Sequence, residues 1–180
     1  RTIQNMNDNE LSIPNYVLYR IDSQNRHTGG VACYIHSSIK VDVLDCFSQQ
    51  NIWSMSFKIL YGYPKETFCL IYRGHNSTQS EFIDFIDRTC EDLASKASTF
   101  HLIGDFNYDY NDKTKSKSLL QKIKSFNLKQ VIDVPTREFK GSSTIIDCVV
   151  TNQKDLKPII RNDCNIADHN FIVLDLFARN

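Results

Sequence analysis

His101-Leu102-Ile103-Gly104-Asp105-Phe106-Asn107 joins the end of a buried strand to a pair of polar side chains. Residues 100–103 are a short apolar run, long enough for one strand. Gly104 breaks that run, and a carboxylate and an amide follow two residues apart. Alternation along an extended backbone turns Asp105 and Asn107 to the same side at the strand's carboxyl end. In layered α/β folds, ligands collect at that edge of a sheet.

Upstream, residues 67–72 form a continuous apolar run that reads as a central strand. Between the two runs, Phe82, Ile83, Ile86, Cys90, Leu93 and Ala94 recur at helical spacing over residues 80–96. Ser77 or Ser80 is placed to cap this helix. Strand, helix, strand implies a parallel crossover and hence an α/β layer. Further upstream, residues 1–15 read as a polar loop, and residues 16–21 and 31–35 as a hairpin-like pair joined through Gly29-Gly30. Residues 40–46 read as a half-exposed strand; Trp53, Met55, Phe57 and Ile59 alternate with polar neighbours in the next one, and residues 61–65 turn the chain. Downstream, residues 116–126 form a second amphipathic helix ended by Asn127. Strands follow at 130–134, 144–151, 158–160 and 171–177, with a polar loop at 135–143. Many strand-like runs against two helical ones fit a layered α/β sandwich better than an open doubly wound sheet.

At 180 residues the chain suits one domain with its own core, and neither internal repeat nor linker divides it. The formal net charge is zero, so charge as a whole announces no nucleic-acid partner, although a local patch would suffice. No apolar run approaches the ~18 residues of a membrane span, and the sequence reads as one without a signal peptide among its residues. The six cysteines (Cys33, Cys46, Cys69, Cys90, Cys148 and Cys164) form no C-x-x-C pair, which favours reduced thiols in an intracellular protein. No P-loop, dinucleotide fingerprint or zinc motif occurs. The first residue, Arg1, suggests a fragment.

Three later polar clusters stand beside apolar runs: Thr136-Arg137, Ser143 to Asp147, and Asp168-His169. A histidine is the side chain best matched to take a proton from water near neutral pH, and it needs a carboxylate to fix its tautomer. Asp147, a charge inside Ile145-Ile146-Asp147-Cys148-Val149-Val150, is costly unless paired, so it is the candidate orienting acid; a structural salt bridge is the alternative. Asp105 reads as a proton-transfer or metal group and Asn107 as a donor to phosphate, although a plain strand-to-loop turn uses the same residues. Tyr72, Arg73, Thr136 and Arg137 read either as packing and solvated surface or as phosphate contacts. Lysines crowd residues 113–140, either as a solvated helix face or as a track for a phosphate backbone. On the functional reading, these clusters converge on a phosphate.

Gly104-Asp105-Phe106-Asn107, Ser143-Thr144-Ile145-Ile146-Asp147 and Ala167-Asp168-His169, in this order, resemble the endonuclease/exonuclease/phosphatase superfamily. Ile71-Tyr72-Arg73, Pro135-Thr136-Arg137 and Gly29-Gly30-Val31 resemble most closely the apurinic-endonuclease-like endonuclease domain of non-LTR retrotransposons. The resemblance implies a DNase I-like sandwich of two mostly antiparallel mixed sheets flanked by helices, as one domain over residues 1–180. It implies a metal-dependent phosphodiesterase that nicks double-stranded DNA and leaves a 3′-hydroxyl for target-primed reverse transcription. His169 would be the general base held by Asp147, and Asp168 would sit by the metal, Mg²⁺ or alternatively Mn²⁺. Asp105 would assist proton transfer, Asn107 and Tyr72 would bind the scissile phosphate, and Thr136, Arg137, Ser143 and Arg73 would line the substrate. The implied partners are DNA and a reverse transcriptase domain of the same polyprotein, acting in the nucleus, with no membrane.

Two departures temper the likeness. The family's first strands, with a catalytic Asn and a metal-binding Glu, have no counterpart before Arg1-Thr2-Ile3, which reads as truncation or decay. Ala167 stands where Ser is usual. The alternatives are an impaired remnant that binds DNA or a partner, and a phosphomonoesterase or phospholipase of the same superfamily.

Overall fold

The computed structural model describes residues 7–24, 29–61, 66–163 and 167–176. The expectations for Arg1-Thr2-Ile3, Cys164, residues 62–65 and the far end of the last strand at Phe177 lie outside these residues. Asn7 caps a short 3-10 turn at Asp8–Leu11, where the sequence suggested only loop. Strands β1 (Tyr16–Ile21) and β2 (Val31–His36) pair antiparallel. Next, β3 (Val41–Gln49), β4 (Ile52–Ile59) and β5 (Thr67–Arg73) form an antiparallel meander. Helix α1 (Gln79–Lys96) then crosses to β6 (Phe100–Asp105), which runs parallel to β5 as the sequence implied.

Helix α2 (Lys113–Ser125) is followed by β7 (Lys129–Gln130) and by a hairpin of β8 (Arg137–Phe139) with β9 (Ser142–Thr144). Strand β10 (Asp147–Thr151) inserts between β6 and β7, and β11 (Ile159–Arg161) pairs with β12 (Phe171–Val173). The main sheet has six strands in the order β3-β4-β5-β6-β10-β7.

Both faces of this sheet are covered. On one, Ile52, Cys69, Ile71, Leu102, Cys148 and Val150 pack against α1 and α2 through residues such as Phe82, Ile86, Leu119 and Ile123. On the other, Phe57 and Phe68 meet Ile35 and Tyr19 of the first strand pair, while Val149 meets Ile160 and Ile172 of the last. The result is the layered α/β sandwich, with the two strand pairs as its second β-layer among the described residues. Two-sided burial is why β5 and β10 read as unbroken apolar runs, whereas the edge strand β3 stays largely exposed.

Several elements differ from the sequence reading, each for a local hydrogen-bonding reason. β4 alternates apolar and polar yet is buried on both faces, because Ser54 and Ser56 meet the Cys69 thiol on the helix side. Thr78, not Ser77 or Ser80, caps α1 in a reciprocal box: its hydroxyl accepts from the Glu81 N–H, and the Glu81 carboxylate accepts from the Thr78 N–H. α2 starts at Lys113 because the Asp112 carboxylate accepts the N–H groups of Thr114 and Lys115, a turn ahead of its first apolar residue. Asn127 does follow that helix at a φ of 56°. The strand foreseen at 130–134 shrinks to Lys129–Gln130, and the loop foreseen at 135–143 holds the β8–β9 hairpin. β10 starts only at Asp147, since Ile145 and Ile146 bond instead to the loop after β6.

Among the described residues five cysteines are free thiols, and Cys69, Cys90 and Cys148 are buried as apolar side chains; burial pushes the Cys69 and Cys90 thiols up to about 12. Among the described residues, no helix is long and apolar enough to cross a membrane.

Candidate active site

At the carboxyl end of β6 the sheet register sets Asp105 directly opposite Asp147 on β10 and beside Tyr72 on β5. Asp105 shares its side of β6 with Ile103, so these groups face the second β-layer and not the helices. From that layer comes His169, which forms an isolated antiparallel bridge with Arg137. Its Nδ1 lies 2.8 Å from Asp147 Oδ2, and because a carboxylate only accepts, Nδ1 carries the hydrogen. Ligand atoms of Asp105, Asp147 and His169 all lie within 4.8 Å of one another. The sequence-predicted dyad and its neighbouring acid are therefore brought together.

Their electrostatics are coupled. Burial, and then the facing Asp147 charge, push the Asp105 carboxyl up to about 6, against the opposing pull of the Asn107 N–H, His169 and Arg137. The hydrogen bond to Asp147 holds the His169 imidazole above its ordinary value, with burial opposing. Two facing carboxylates that raise one another's cost of ionisation form a donor set suited to a divalent cation.

Asn107 holds Asp105 by a mechanism other than strand alternation. It adopts a left-handed φ of 46°, which curls the chain so that its N–H donates to Asp105 Oδ1 at 2.8 Å. Its amide Nδ2 donates to Asp105 Oδ2 at 3.2 Å and to the Arg73 carbonyl at 2.6 Å, so both amide hydrogens are engaged within the protein. Tyr72 leans on Trp53, with ring centroids 5.9 Å apart. Gly29, at a φ of 104°, lies so close to the other side of this wall that a Cβ would sit 2.5 Å from the Trp53 ring.

Three expectations need correction. Thr136 does not line the site: it is fully buried, and its Oγ1 accepts the N–H groups of Ile146 (3.2 Å) and Asp147 (3.0 Å). Its carbonyl also accepts from the Asn170 N–H at 2.7 Å, so one residue ties the Asp147 strand to the His169 loop. Arg73 borders the cleft beside Asn107 but is buried, and it gives its donors to backbone carbonyls of Phe106, Asn107 and Ser77 rather than presenting them to a substrate. Asp168 lies outside the cation-binding group; its Oδ2 takes both Nε and a terminal nitrogen of Arg137 at 2.8 Å. Ser143 stays exposed on β9, and Arg137 is half-exposed.

Sequence reasoning had no hold on the clamping role of Thr136. A signal existed: Ile146 and Asp147 begin a buried strand, and their N–H groups require an acceptor. Thr136→Val keeps the shape but strands both donors, so it should cost about 1–3 kcal/mol in urea unfolding, whereas Thr136→Ser should be nearly neutral. Equal stability of the Val and Ser variants would show that the hydroxyl is not the clamp.

No protein-family model and no curated protein matches the chain at the sequence level. Solved structures do match in fold. The endonuclease domain of TRAS1, a telomere-specific non-LTR retrotransposon, superposes with a TM-score of 0.71 at 15% identity over 93% of this chain and 83% of that one. An endonuclease/exonuclease/phosphatase family protein from Bacteroides thetaiotaomicron gives 0.60 at 12% identity, covering 93% and 75%. The 3′ phosphatase NExo from Neisseria, bound to a product DNA hairpin, gives 0.61 at 12% identity, covering 88% and 79%. The chain has the DNase I-like fold of the endonuclease/exonuclease/phosphatase superfamily, and the proteins that share it here include nucleases and phosphatases.

Proposed function

We propose that the chain is a metal-dependent phosphodiesterase domain that nicks double-stranded DNA, as the endonuclease of a non-LTR retrotransposon whose reverse transcriptase extends the 3′-hydroxyl. The observation that carries this reading is the His169–Asp147 dyad, 2.8 Å between Nδ1 and Oδ2, set beside Asp105 at the sheet edge. Asp147 fixes the tautomer, leaving His169 Nε2 as the acceptor that takes a proton from the attacking water. Attack at phosphorus breaks the bond to O3′. Asp105 stands beside the base as the second group able to exchange a proton. Tyr72, beside Asp105, would hold the scissile phosphate, and the exposed Ser143 and half-exposed Arg137 would contact the DNA.

Mg²⁺ or Mn²⁺ would be held by the carboxylates of Asp105 and Asp147 and, when bound, would neutralise charge on the phosphoryl oxygens. The test of the reading is conversion of supercoiled plasmid to nicked circles in Mg²⁺; a protein that leaves plasmid intact in both Mg²⁺ and Mn²⁺ refutes it.

The acid pair predicts a pH-dependent response to the cation. Asp105 has a folded-state value of about 6 against an ordinary 3.8, so its contribution to stability is intact below 3.8 and is lost as pH rises through about 6. The metal-free protein should therefore lose melting temperature over that interval, and Asp105→Asn should flatten the loss. Mg²⁺ or Mn²⁺ should raise the melting temperature clearly at pH 7.5 and little at pH 5. Equal increments at the two values would remove the acids as the cation's ligands.

A further inference from the structure

Arg73 ends β5 as a buried cation with no ion-pair partner among the described residues. It is 8% exposed, and its guanidinium lies 5.3 Å from the ring centroids of both Phe82 and Tyr108. Its terminal nitrogens donate only to backbone carbonyls, and Nε is buried with no partner. Burial pulls its pKa below the ordinary arginine value even though Asp105 and Glu81 oppose the shift from a distance. Carbonyls and ring faces satisfy donors but cancel no charge, and a buried charge is ordinarily paired.

This cation lines a cleft of about 360 Å³ with His75, Gln79, Tyr108 and Lys115, and the cleft adjoins the acid site through Asn107. The amino ends of both helices meet there: Gln79 opens α1, Lys115 lies in the first turn of α2, and Gln79 Nε2 donates to the Lys115 carbonyl at 3.3 Å. Both amino ends are capped, α1 by Thr78 with Glu81 and α2 by Asp112, so the positive potential there comes from the side chains. Two acids oppose it. Asp109 is in the lining, with Oδ1 engaged by the N–H groups of Asn111 and Ile145, and Asp112 pairs with Lys115 at 3.2 Å while capping α2. Beyond the cleft, α2 carries Lys113, Lys117, Lys122 and Lys124, the basic run noted in the sequence.

We propose that this cleft binds a phosphate group of the polynucleotide strand, next to the phosphodiester at the Asp105–Asp147 edge. That the phosphate belongs to a polynucleotide rests on the nuclease reading; the anion site itself does not. The acid pair and the cleft divide the work, the first attracting a cation and the second a neighbouring phosphate. The substrate is thus a chain of phosphodiesters rather than a single phosphomonoester.

The variant to use is His75→Ala with Lys115→Ala, because replacing Arg73 would also release the turn its donors hold. Inorganic phosphate titrated into the metal-free protein should shift the amide resonances of His75, Gln79, Tyr108 and Lys115, and the double variant should bind it at least about 5-fold more weakly. Binding of a short DNA duplex in EDTA should weaken in the same variant, and its dependence on log salt should flatten by about one per lost phosphate contact. Unshifted cleft resonances, or unchanged phosphate and DNA affinities in the double variant, overturn the proposal. Weaker phosphate binding with unchanged DNA binding overturns it too, by making the cleft a site for free anions. Failure of plasmid nicking is a separate result: it refutes the nuclease, while the phosphate titration still reports on the anion site.

Discussion

Replacing His169 by Ala should lower the rate of plasmid nicking by about 10²–10⁴-fold, the range associated with loss of a positioned general base. Among the described residues, His169 is the only histidine within the acid group. The other buried imidazole, His101, is at the far end of β6, where its Nε2 meets Glu66 Oε2 at 3.1 Å. No neighbour can therefore take over. Asp147→Asn should reproduce much of the loss, because an amide can donate to Nδ1 and so stabilise the wrong tautomer. Both variants should melt close to the parent, since the His169 side chain is one-third exposed and its loop is also held by the Asn170–Thr136 bond. The pH profile gives an independent check. Asp147 raises the imidazole above its ordinary 6.5, and the base works only when neutral, so nicking should climb with pH beyond that value. Full nicking by His169→Ala with a wild-type profile would end the assignment.

Much of this site was legible in the sequence because its residues sit at strand ends, where apolar runs give way to charge. Asp105 and His169 carry that signature, Asp147 stands out instead as a charge inside an apolar run, and the β5–α1–β6 crossover that positions Asp105 is encoded by an unambiguous helical period. What was not legible is the hydrogen-bonding behind them. A threonine that clamps two N–H groups and an arginine buried between aromatic rings look, as letters, like any polar pair ahead of a loop. Their roles follow from which backbone groups lack partners once the strands are paired. The β8–β9 hairpin escaped for a similar reason. Its strands are three residues each and polar, too short to show a period, and Lys140 and Gly141 supply its turn through positive φ values of 48° and 80°. The resemblance implied Asp168 beside the metal, but successive residues point apart on an extended chain, and its carboxylate turns to Arg137.

Gly104→Ala should be the most destabilising alanine substitution among Gly29, Gly74, Gly104 and Gly141, costing more than about 4 kcal/mol and yielding insoluble protein or a melting temperature lower by about 10 °C. As the break in an apolar run, Gly104 was expected to end the strand. Instead β6 continues through it to Asp105, pairing Gly104 with Ile71 on one side and Cys148 on the other. Its φ of 146° is what permits this, and a Cβ there would lie 1.8 Å from the Ile71 carbonyl oxygen. That oxygen belongs to the backbone of a central strand and cannot swing aside as a side-chain tip would. Relief requires separating β5 from β6, the two strands that set Tyr72 beside Asp105, so any folded fraction should also nick poorly. Gly141 supplies the control. It too has a positive φ, 80°, but a Cβ added there would meet no atom within 4 Å, so Gly141→Ala should cost only the conformational strain of about 1 kcal/mol. Similar melting temperatures for the two variants would show that the β5–β6 contact is slack, and that the acid group owes its position to something other than this close approach.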